Sequence, residues 1–306
     1  MKILFVASHN TGKFSTFITE QAEALQKLGV EIDYFGVVGK GILGYLNNRK
    51  KLILKIREFQ PDLIHAHYGL SGLLANLQRK IKVVVTYHGC DINKMNLRIL
   101  SVLSILLSKH NIFVSKRLMN CVKFYVGKKY DIVPCGIDKF VFYPIQKLQA
   151  REKLNFQSDR IYVLFSSAFN RIEKNAELAF KSIKLLKKDV ELVELKGYSR
   201  EEVALLMNAC DVGLLTSIRE GLNLFIKELL FCSRPIVSTD VGDVKETTSD
   251  IDGCFITSFE PENVANALEK AIQYETVNVS ETYKNQFDNK RIAIKLMEIY
   301  KLILEE

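Results

Sequence analysis

The fold is decided by the stretch DVGLLTSIREGLNLFIKELLFCSRPIVSTDVGDVKE, residues 211–246. Its apolar runs at 211–217 and 235–240 predict two short buried strands, and the apolar segment 222–232 between them predicts a helix. Strands joined through a helix pair in parallel, and helices cover the faces of such a sheet. The stretch therefore predicts one strand–helix–strand unit of an α/β domain.

Two carboxylates of this stretch are candidates for a binding site. Glu220 lies with Gly221 in the loop after the first strand, and Glu228 projects from the helix that follows. A helix N-terminus attracts anions because its first N–H groups have no intrahelical acceptor. Both carboxylates and the helix start would line one cleft, so we interpret them as half of an active site. Ordinary surface carboxylates are the alternative interpretation.

The alternation of strand and helix continues outward from this stretch. Further strands are predicted at 2–7, 30–38, 62–67, 82–88, 111–115 and 130–134, and at 161–168, 190–195 and 253–257. Strands bounded by helices at this spacing predict parallel sheets covered on both faces. In such sheets, ligands bind beyond the carboxyl ends of the strands. We therefore expect an α/β protein with two doubly wound Rossmann-like domains that face each other across a cleft.

Domain boundaries follow from the same pattern. The segment 135–159 contains Pro144 and a charged run and predicts an irregular linker. It separates an N-terminal domain, residues 1–145, from a C-terminal domain, residues 146–285. Residues 286–306 have helical periodicity, and we expect this helix to pack back toward the N-terminal domain.

Composition excludes several classes of protein. The chain has 306 residues, of which 48% are hydrophobic, which suffices for two cores. No apolar run reaches the roughly 18–20 residues of a membrane-spanning helix, and the N-terminal MKILFVASHN predicts a strand, not a signal peptide. Six cysteines without Cys-x-x-Cys spacing predict neither a zinc site nor disulfides. A cytoplasmic protein is the expectation.

Charge is distributed unevenly along the chain. Residues 1–150 hold 22 Lys and Arg against 9 Asp and Glu, whereas residues 151–306 hold 21 against 26. A basic half predicts an anionic partner such as phosphate groups, acidic lipid or nucleic acid. The basic segment 40–59 fits a helix on an anionic membrane or a solvated helix covering the sheet. Segment 94–110 is expected to be mainly core. Nucleic acid is disfavoured because aromatic residues do not alternate with the basic ones.

Four segments in the same order resemble the family 4 retaining glycosyltransferases of the GT-B fold, the glycosyl transferases group 1 type. They are PDLIHAHYGLSGLLA (61–75), VVTYHGCDI (84–92), VPCGIDKFVFYP (133–144) and SIREGLNLFIKELLFCSRPIVSTDVGDVKE (217–246). The resemblance covers the chain to about residue 275. It implies that the N-terminal domain takes the acceptor and the C-terminal domain the nucleotide sugar.

The resemblance also implies roles for individual residues of the C-terminal domain. Glu228 would bind the ribose hydroxyls of the donor nucleotide, and Glu220 would lie beside the donor sugar. Lys174 would neutralise the diphosphate leaving group, where a fixed cation stabilises the charge that develops during transfer. Backbone N–H groups would meet the diphosphate at Gly221, Leu222 and Asn223. Catalysis in the family proceeds without a metal, so no metal ion or other cofactor is expected.

Two positions depart from the family pattern. Phe169 stands where relatives usually have an arginine, five residues before Lys174, and Arg171 is the substitute cation whose reach is open. Cys135 stands where relatives often have an asparagine.

The first half supplies fewer candidates. His88, at the end of a predicted strand, matches the family's cleft-facing histidine, with a buried core histidine as the alternative. Gly12 follows the first strand and would let backbone approach phosphate or acceptor. His65 and His67 share one strand face without a third ligand, which does not make a metal site.

The predicted function is that of a metal-independent, retaining hexosyltransferase. It would move a sugar from a nucleotide sugar to a glycan or lipid-linked acceptor in bacterial surface polysaccharide synthesis. We expect it in the cytoplasm, peripherally on the inner face of the cell membrane. Two alternatives stay open: a nucleotide-sugar epimerase on the same fold, and a non-catalytic partner subunit that binds sugar nucleotides.

Overall fold

The computed structural model describes residues 1–127, 129–221 and 223–306. The chain divides into two compact units. Unit 1 comprises Met1–Gly136 and Gln286–Glu306, and unit 2 comprises Ile137–Asn285. Each unit is an α/β structure built on a parallel sheet, which confirms the predicted fold class.

Unit 1 is built on a sheet whose described strands run in the order β2-β1-β3-β4-β5-β6, all parallel. The strands are β1 (Lys2–Ser8), β2 (Glu31–Val37), β3 (Leu63–His67), β4 (Lys82–Tyr87), β5 (His110–Phe113) and β6 (Tyr130–Ile132). The residues of β3 are buried throughout, as expected of a central strand covered on both faces.

Helices pack on this sheet. They are α1 (Thr16–Gln26), α2 (Gly41–Leu46), α3 (Arg49–Phe59), α4 (Gly69–Asn76), α5 (Cys90–Asn93), α6 (Met95–Leu107), α7 (Lys116–Asn120) and α8 (Lys123–Val126). The basic segment 40–59 forms two helices, α2 and α3. No helix in the described part of the chain is long and apolar enough to cross a membrane.

Unit 2 is built on a second parallel sheet with the described order β11-β10-β9-β7-β8. Its strands are β7 (Ile161–Phe165), β8 (Val190–Glu194), β9 (Val212–Leu215), β10 (Ile236–Thr239) and β11 (Cys254–Thr257). Its helices are α9 (Lys147–Leu154), α10 (Ala176–Ile183), α11 (Arg200–Ala209), α12 (Leu224–Phe231), α13 (Val244–Thr248) and α14 (Pro261–Ala271). The predicted unit at 211–246 is therefore β9, α12 and β10.

The predicted linker at 135–159 is not irregular throughout, because α9 forms within it. Arg151 of α9 donates to the carbonyl of Ala209 and to the carboxylate of Asp211, so long-range contacts hold the helix. The first segment of unit 1 ends at Gly136, nine residues before the predicted end of the N-terminal domain. Just past it, the Asn208 amide donates to the carbonyl of Tyr143, which ties this segment to unit 2.

The end of the chain returns to unit 1. After α15 (Glu281–Phe287), the long helix α16 (Asn289–Glu305) buries Leu296 and Tyr300 in the core around β1 and β3. The Lys82 Nζ of β4 donates to the carbonyl of Ile303 at 2.9 Å. Burial of one apolar stripe explains the helical periodicity of this segment.

Candidate active site

A partly buried ion pair joins two loops at the carboxyl ends of the unit 2 strands. Lys174 Nζ donates to Glu220 Oε1 at 2.6 Å, and Ser217 Oγ donates to the same oxygen at 2.6 Å. The two charged side chains are only 13% and 11% exposed. Charge-assisted hydrogen bonds of this kind are about twice as strong as neutral ones. The structure therefore brings together two residues that lie 46 positions apart and were predicted to share a site.

Backbone contacts fix the two loops relative to each other. Thr216 Oγ1, just after β9, donates to the carbonyls of Lys174 and Asn175 at 3.0 and 2.9 Å. The N–H of Ile218 donates to the carbonyl of Glu173 at 3.0 Å. Because both backbones are bonded, the positions of Lys174 and Glu220 are set by the fold and not by their ion pair alone.

The second predicted carboxylate, Glu228, is buried on α12 and pairs with Arg200. The Arg200 guanidinium donates to Glu228 Oε1 at 2.7 Å and lies over the ring of Phe142, 4.5 Å from its centroid. Arg200 is the first residue of α11, whose start is fixed by a capping box between Ser199 and Glu202. The helix cap thus places a cation beside the buried carboxylate.

The N-terminus of α12 lies against the loop after β10. Asn223 Nδ2 donates to Asp243 Oδ1 at 2.9 Å, and Lys227 Nζ pairs with Asp243 Oδ2 at 3.2 Å. Asn223 Oδ1 is buried and finds no hydrogen-bond partner among the described residues, which is uncommon for a buried polar atom. Predicted Gly221 lies in the loop between β9 and α12, whereas predicted Leu222 lies outside the described residues.

Gly242 lets the loop after β10 approach both Asn223 and Glu220. Its φ is +60°, and a Cβ built there would lie 2.6 Å from Asn223 Nδ2 and 3.4 Å from the Glu220 Cβ. A side chain would collide with the asparagine, so glycine is needed for the loops to approach. Asn223, Glu220 and Gly242 therefore form one compact group with the start of α12.

The departure at position 169 has a packing explanation. The Phe169 ring contacts the rings of Phe165 and Phe180, with centroids 5.3 and 4.9 Å apart, at the edge of the unit 2 core. Arg171 is exposed and pairs with Glu173. The pKa of the Glu173 carboxyl is lowered, mainly by a hydrogen bond from the backbone N–H of Glu173 itself and next by the hydrogen bond from Arg171. Among the described residues, Arg171 therefore forms an ion pair with Glu173. That Arg171 contacts a phosphate of the donor stays a prediction.

Three histidines of unit 1 form a buried stack at the carboxyl ends of β3 and β4. The rings of His65 and His67 lie 4.4 Å apart and those of His67 and His88 5.3 Å apart. His67 Nδ1 and His88 Nε2 are hydrogen-bonded at 3.1 Å, and His88 Nδ1 contacts the Cys135 sulfur at 3.8 Å. Both ring nitrogens of His88 thus have partners within unit 1.

Burial keeps this stack uncharged. Desolvation lowers the pKa of His65 and His88 to about 3 and that of His67 well below its usual value. His88 is therefore neutral at physiological pH. It is 4% exposed, so the structure gives it the surroundings of a core residue, and its predicted catalytic role stays a prediction.

A buried carboxylate lies next to His88. Asp91 accepts hydrogen bonds from the backbone N–H groups of Gly69, His88 and Gly89. Burial raises its pKa to about 6 although these hydrogen bonds oppose the shift. Gly12 lies in an exposed turn with φ +77° and open space beside it, which leaves room for a ligand.

The described residues contain no group of three or more His, Cys, Asp or Glu side chains placed to hold a metal ion. Asp250 and Asp252 form an Asp-x-Asp pair, but both are exposed in the turn before β11. Sequence reasoning missed Arg200, Ser217 and Asp243. Each follows the carboxyl end of a unit 2 strand, and that position was the available signal.

Comparison with known proteins gives consistent matches. Residues 27–139 match the family described as Glycosyltransferase Family 4, and residues 173–274 match the one described as Glycosyl transferases group 1. An uncharacterised glycosyltransferase of Methanocaldococcus jannaschii is 26% identical over 278 residues, covering 81% of this chain and 74% of that protein.

Two solved structures superpose over nearly the whole chain. Sucrose-phosphate synthase from Thermosynechococcus elongatus matches with a TM-score of 0.83 and 16% identity, covering 100% of this chain and 99% of that one. HepE from Anabaena, in complex with UDP and glucose, matches with a TM-score of 0.75 and 16% identity, covering 98% and 99%. At these identities the likeness establishes the fold.

Proposed function

The chain belongs to the family 4 glycosyltransferases of the GT-B fold, and we propose that the site at the carboxyl ends of β9 and β10 binds a nucleotide-sugar donor. The observation that carries the proposal is the Lys174–Glu220 ion pair at 2.6 Å, set beside the start of α12 and the buried Glu228. Cations, carboxylates and unpaired helix N–H groups are what a sugar diphosphate ester needs around it.

Each group has a distinct task in this proposal. The Glu228 carboxylate accepts hydrogen bonds from the ribose hydroxyls, and Arg200 holds that carboxylate in place. The N–H groups around Gly221 and Asn223 bind the diphosphate. The unpartnered Asn223 Oδ1 accepts from a hydroxyl of the donor.

Lys174 acts on the leaving group. As the bond between the anomeric carbon and the phosphate oxygen breaks, negative charge grows on that oxygen, and the ammonium stabilises it. Glu220 holds Lys174 before the donor binds. When the diphosphate binds the ammonium, the Glu220 and Ser217 side chains move to hydrogen-bond hydroxyls of the sugar. The acceptor hydroxyl attacks the face from which the phosphate leaves, so the anomeric configuration is retained. The departing phosphate accepts the acceptor's proton.

The donor sugar is a hexose in this proposal, and transfer requires no metal because Lys174 and the helix N–H groups neutralise the diphosphate. UDP-sugars are the first donors to test, because the related HepE structure holds UDP and glucose. The acceptor is a glycan or lipid-linked saccharide of a bacterial surface polysaccharide. The excess of basic residues in the first half supports an acidic or lipid-linked acceptor at the inner face of the membrane.

A donor screen tests the proposal. Thermal shift with UDP-, GDP- and ADP-sugars should raise the unfolding temperature for one nucleotide class, because a ligand bound only by the folded state stabilises it. Glu228→Gln should lose that shift. The exposed Glu246→Gln on α13 is the matched control and should keep it. Absence of a shift with every donor would contradict the proposal.

Product analysis separates the alternatives. A transferase releases nucleoside diphosphate when a suitable acceptor is added, and NMR of the product should show the anomeric configuration of the donor. An epimerase would convert the donor without acceptor and without releasing nucleotide. A non-catalytic partner subunit would bind the donor and leave it intact across the whole acceptor panel.

A further inference from the structure

Helix α6 of unit 1 buries two serines and exposes several large apolar side chains, the reverse of the usual pattern of a surface helix. Its inward face carries Ser101 and Ser104, whose hydroxyl-bearing carbons pack close to α4. A Cβ at Gly69 would lie 2.0 Å from Ser101 Oγ, and one at Gly72 would lie 2.4 Å from Ser104 Oγ. These close approaches show that small residues form the contact with α4. Of the large apolar residues of α6, Ile105 is buried, whereas Met95, Ile99, Leu103, Leu106 and Leu107 are exposed.

The outward face is a continuous apolar stripe. Met95, Ile99, Leu103 and Leu106 recur at helical spacing and are 67%, 62%, 47% and 61% exposed. Segment 94–110 was expected to be mainly core, and this stripe corrects that expectation. Leaving four large apolar side chains of one stripe in water is unfavourable, so a contiguous exposed stripe indicates a binding surface.

The surroundings of the stripe are basic. Residues 92–130 contain eight Lys and Arg and no Asp or Glu. Helix α8, which packs beside α6, presents Phe124, 87% exposed, with Lys123 over its ring at 5.2 Å. Aromatic side chains flanked by lysines are typical of the boundary between lipid headgroups and acyl chains.

A surface cavity of about 310 Å³ adjoins the C-terminal end of the stripe. Leu106 and Leu107 of α6 form part of its wall, and the cations that line it are Arg79, Lys80, Lys82, Lys109 and Lys129. Lys82 is held by the carbonyl of Ile303 and Lys109 by the Glu306 carboxylate at 2.6 Å. A cavity lined by five cations is complementary to a phosphate group.

We propose that this face of unit 1, the α6 stripe with the adjoining basic cavity, docks on a bilayer that contains anionic phospholipid. The stripe and Phe124 enter the acyl boundary, and the cavity receives a phosphate headgroup. A second copy of the chain is a poorer occupant, because two such faces would bring two sets of the cations that line the cavity close together. The proposal does not depend on the transfer reaction proposed above.

Vesicle flotation tests the docking face. The full chain should float with vesicles of phosphatidylcholine plus phosphatidylglycerol and stay behind with phosphatidylcholine alone. Ile99→Asp with Leu103→Asp should abolish flotation, whereas Leu148→Asp, an equally exposed position on α9, should not. Both substitutions fall at exposed positions, so circular dichroism and the unfolding temperature should stay close to those of the unmodified chain.

The cavity is tested separately with a matched pair of double variants. Lys80→Ala with Lys129→Ala should weaken binding to the anionic vesicles about 25-fold, since each cation near such a surface contributes roughly five-fold. Lys187→Ala with Lys188→Ala, two exposed lysines of unit 2, should change it less than about three-fold.

Three results would overturn the proposal. One is equal binding of the chain to both kinds of vesicle, or to neither. Another is unchanged flotation of the Ile99→Asp and Leu103→Asp variant, or loss of flotation on Leu54→Asp in α3 alone. The third is light scattering that shows a dimer which the same α6 variant converts to a monomer.

Discussion

Lys174 and Glu220 form an ion pair with 2.6 Å between Nζ and Oε1, although 46 positions separate them in the chain. The Thr216 hydroxyl donates to the Lys174 carbonyl, and the Ile218 N–H donates to the Glu173 carbonyl, so the two loops are joined independently of the pair. We propose that the pair keeps a positive and a negative group in place for a ligand that is itself charged.

The first prediction separates catalysis from stability at this pair. Lys174→Ala should lower kcat on the order of 10²–10³-fold, because a fixed cation at the leaving group is lost. It should also lower the free energy of unfolding by about 1–3 kcal/mol, because Glu220 is left without its charged partner. The double variant Lys174→Met with Glu220→Gln should restore stability and leave kcat low. If the double variant regained activity together with stability, the pair would be purely structural.

The second prediction concerns nucleotide binding through Glu228. Glu228→Gln should weaken binding of the nucleoside diphosphate by roughly 1.5–3 kcal/mol, the typical contribution of hydrogen bonds to a charged group. Arg200→Ala should weaken it as well, because Arg200 holds the carboxylate at 2.7 Å. Titration calorimetry measures both effects. Full affinity in the Glu228→Gln variant would remove this carboxylate from the donor site.

The third prediction concerns Arg171, the candidate substitute cation two residues after Phe169. Arg171→Ala should change donor affinity and kcat by less than about three-fold, because Arg171 is exposed and paired with Glu173, and exposed pairs contribute little. Steady-state kinetics beside Lys174→Ala checks this. A loss as large as that of the lysine variant would show that Arg171 reaches the diphosphate.

The fourth prediction follows from the histidine stack. The pKa values of His65, His67 and His88 are lower in the folded chain than the reference value of 6.5 that applies when it is unfolded. Their contribution to the stability of the folded state is therefore present above pH 6.5 and is lost as the pH falls toward 3. Asp91 acts oppositely. Its pKa of about 6 exceeds the reference 3.8, so its stabilisation is present below pH 3.8 and is lost as pH rises through 6.

Between pH 5.5 and 4.5 the effect of three histidines opposes that of one aspartate. The unfolded chain therefore binds about two more protons at these groups than the folded chain does. These four groups together should lower the free energy of unfolding by roughly 2.7 kcal/mol for each pH unit of acidification in this window. His67→Gln should reduce that slope by about 1.4 kcal/mol per pH unit. Tyr300→Phe, which alters a partner of His65 but removes no histidine, should keep it. Urea unfolding at several pH values checks this, and an unchanged slope in the His67→Gln variant would contradict it.

Much of the fold could be predicted because its signals are local. The apolar runs of β9 and β10 are flanked by glycine, proline and polar residues, and the helix between them has an apolar period. The order of four motifs also identified the family correctly. By contrast, the sequence did not indicate α9, because Ala209 and Asp211, the partners that hold its Arg151, lie about 60 positions further along the chain.

The candidate site was predictable in its carboxylates and lysine but not in their partners. Arg200 lies 28 positions before Glu228, and nothing local to either residue indicates that they meet. The orientation of α6 was hidden for the same reason. Whether its serines or its leucines turn inward depends on glycines of α4, Gly69 and Gly72, in another helix.

We propose that this chain transfers a sugar from a nucleotide donor bound at the Lys174–Glu220 pair. The most direct measurement is release of nucleoside diphosphate from the donor found by thermal shift, with and without acceptor, in the unmodified chain and in Lys174→Ala. We predict acceptor-dependent release in the unmodified chain, lowered on the order of 10²–10³-fold by the substitution while the protein stays folded. Equal release by both proteins, or release that ignores the acceptor, would contradict it.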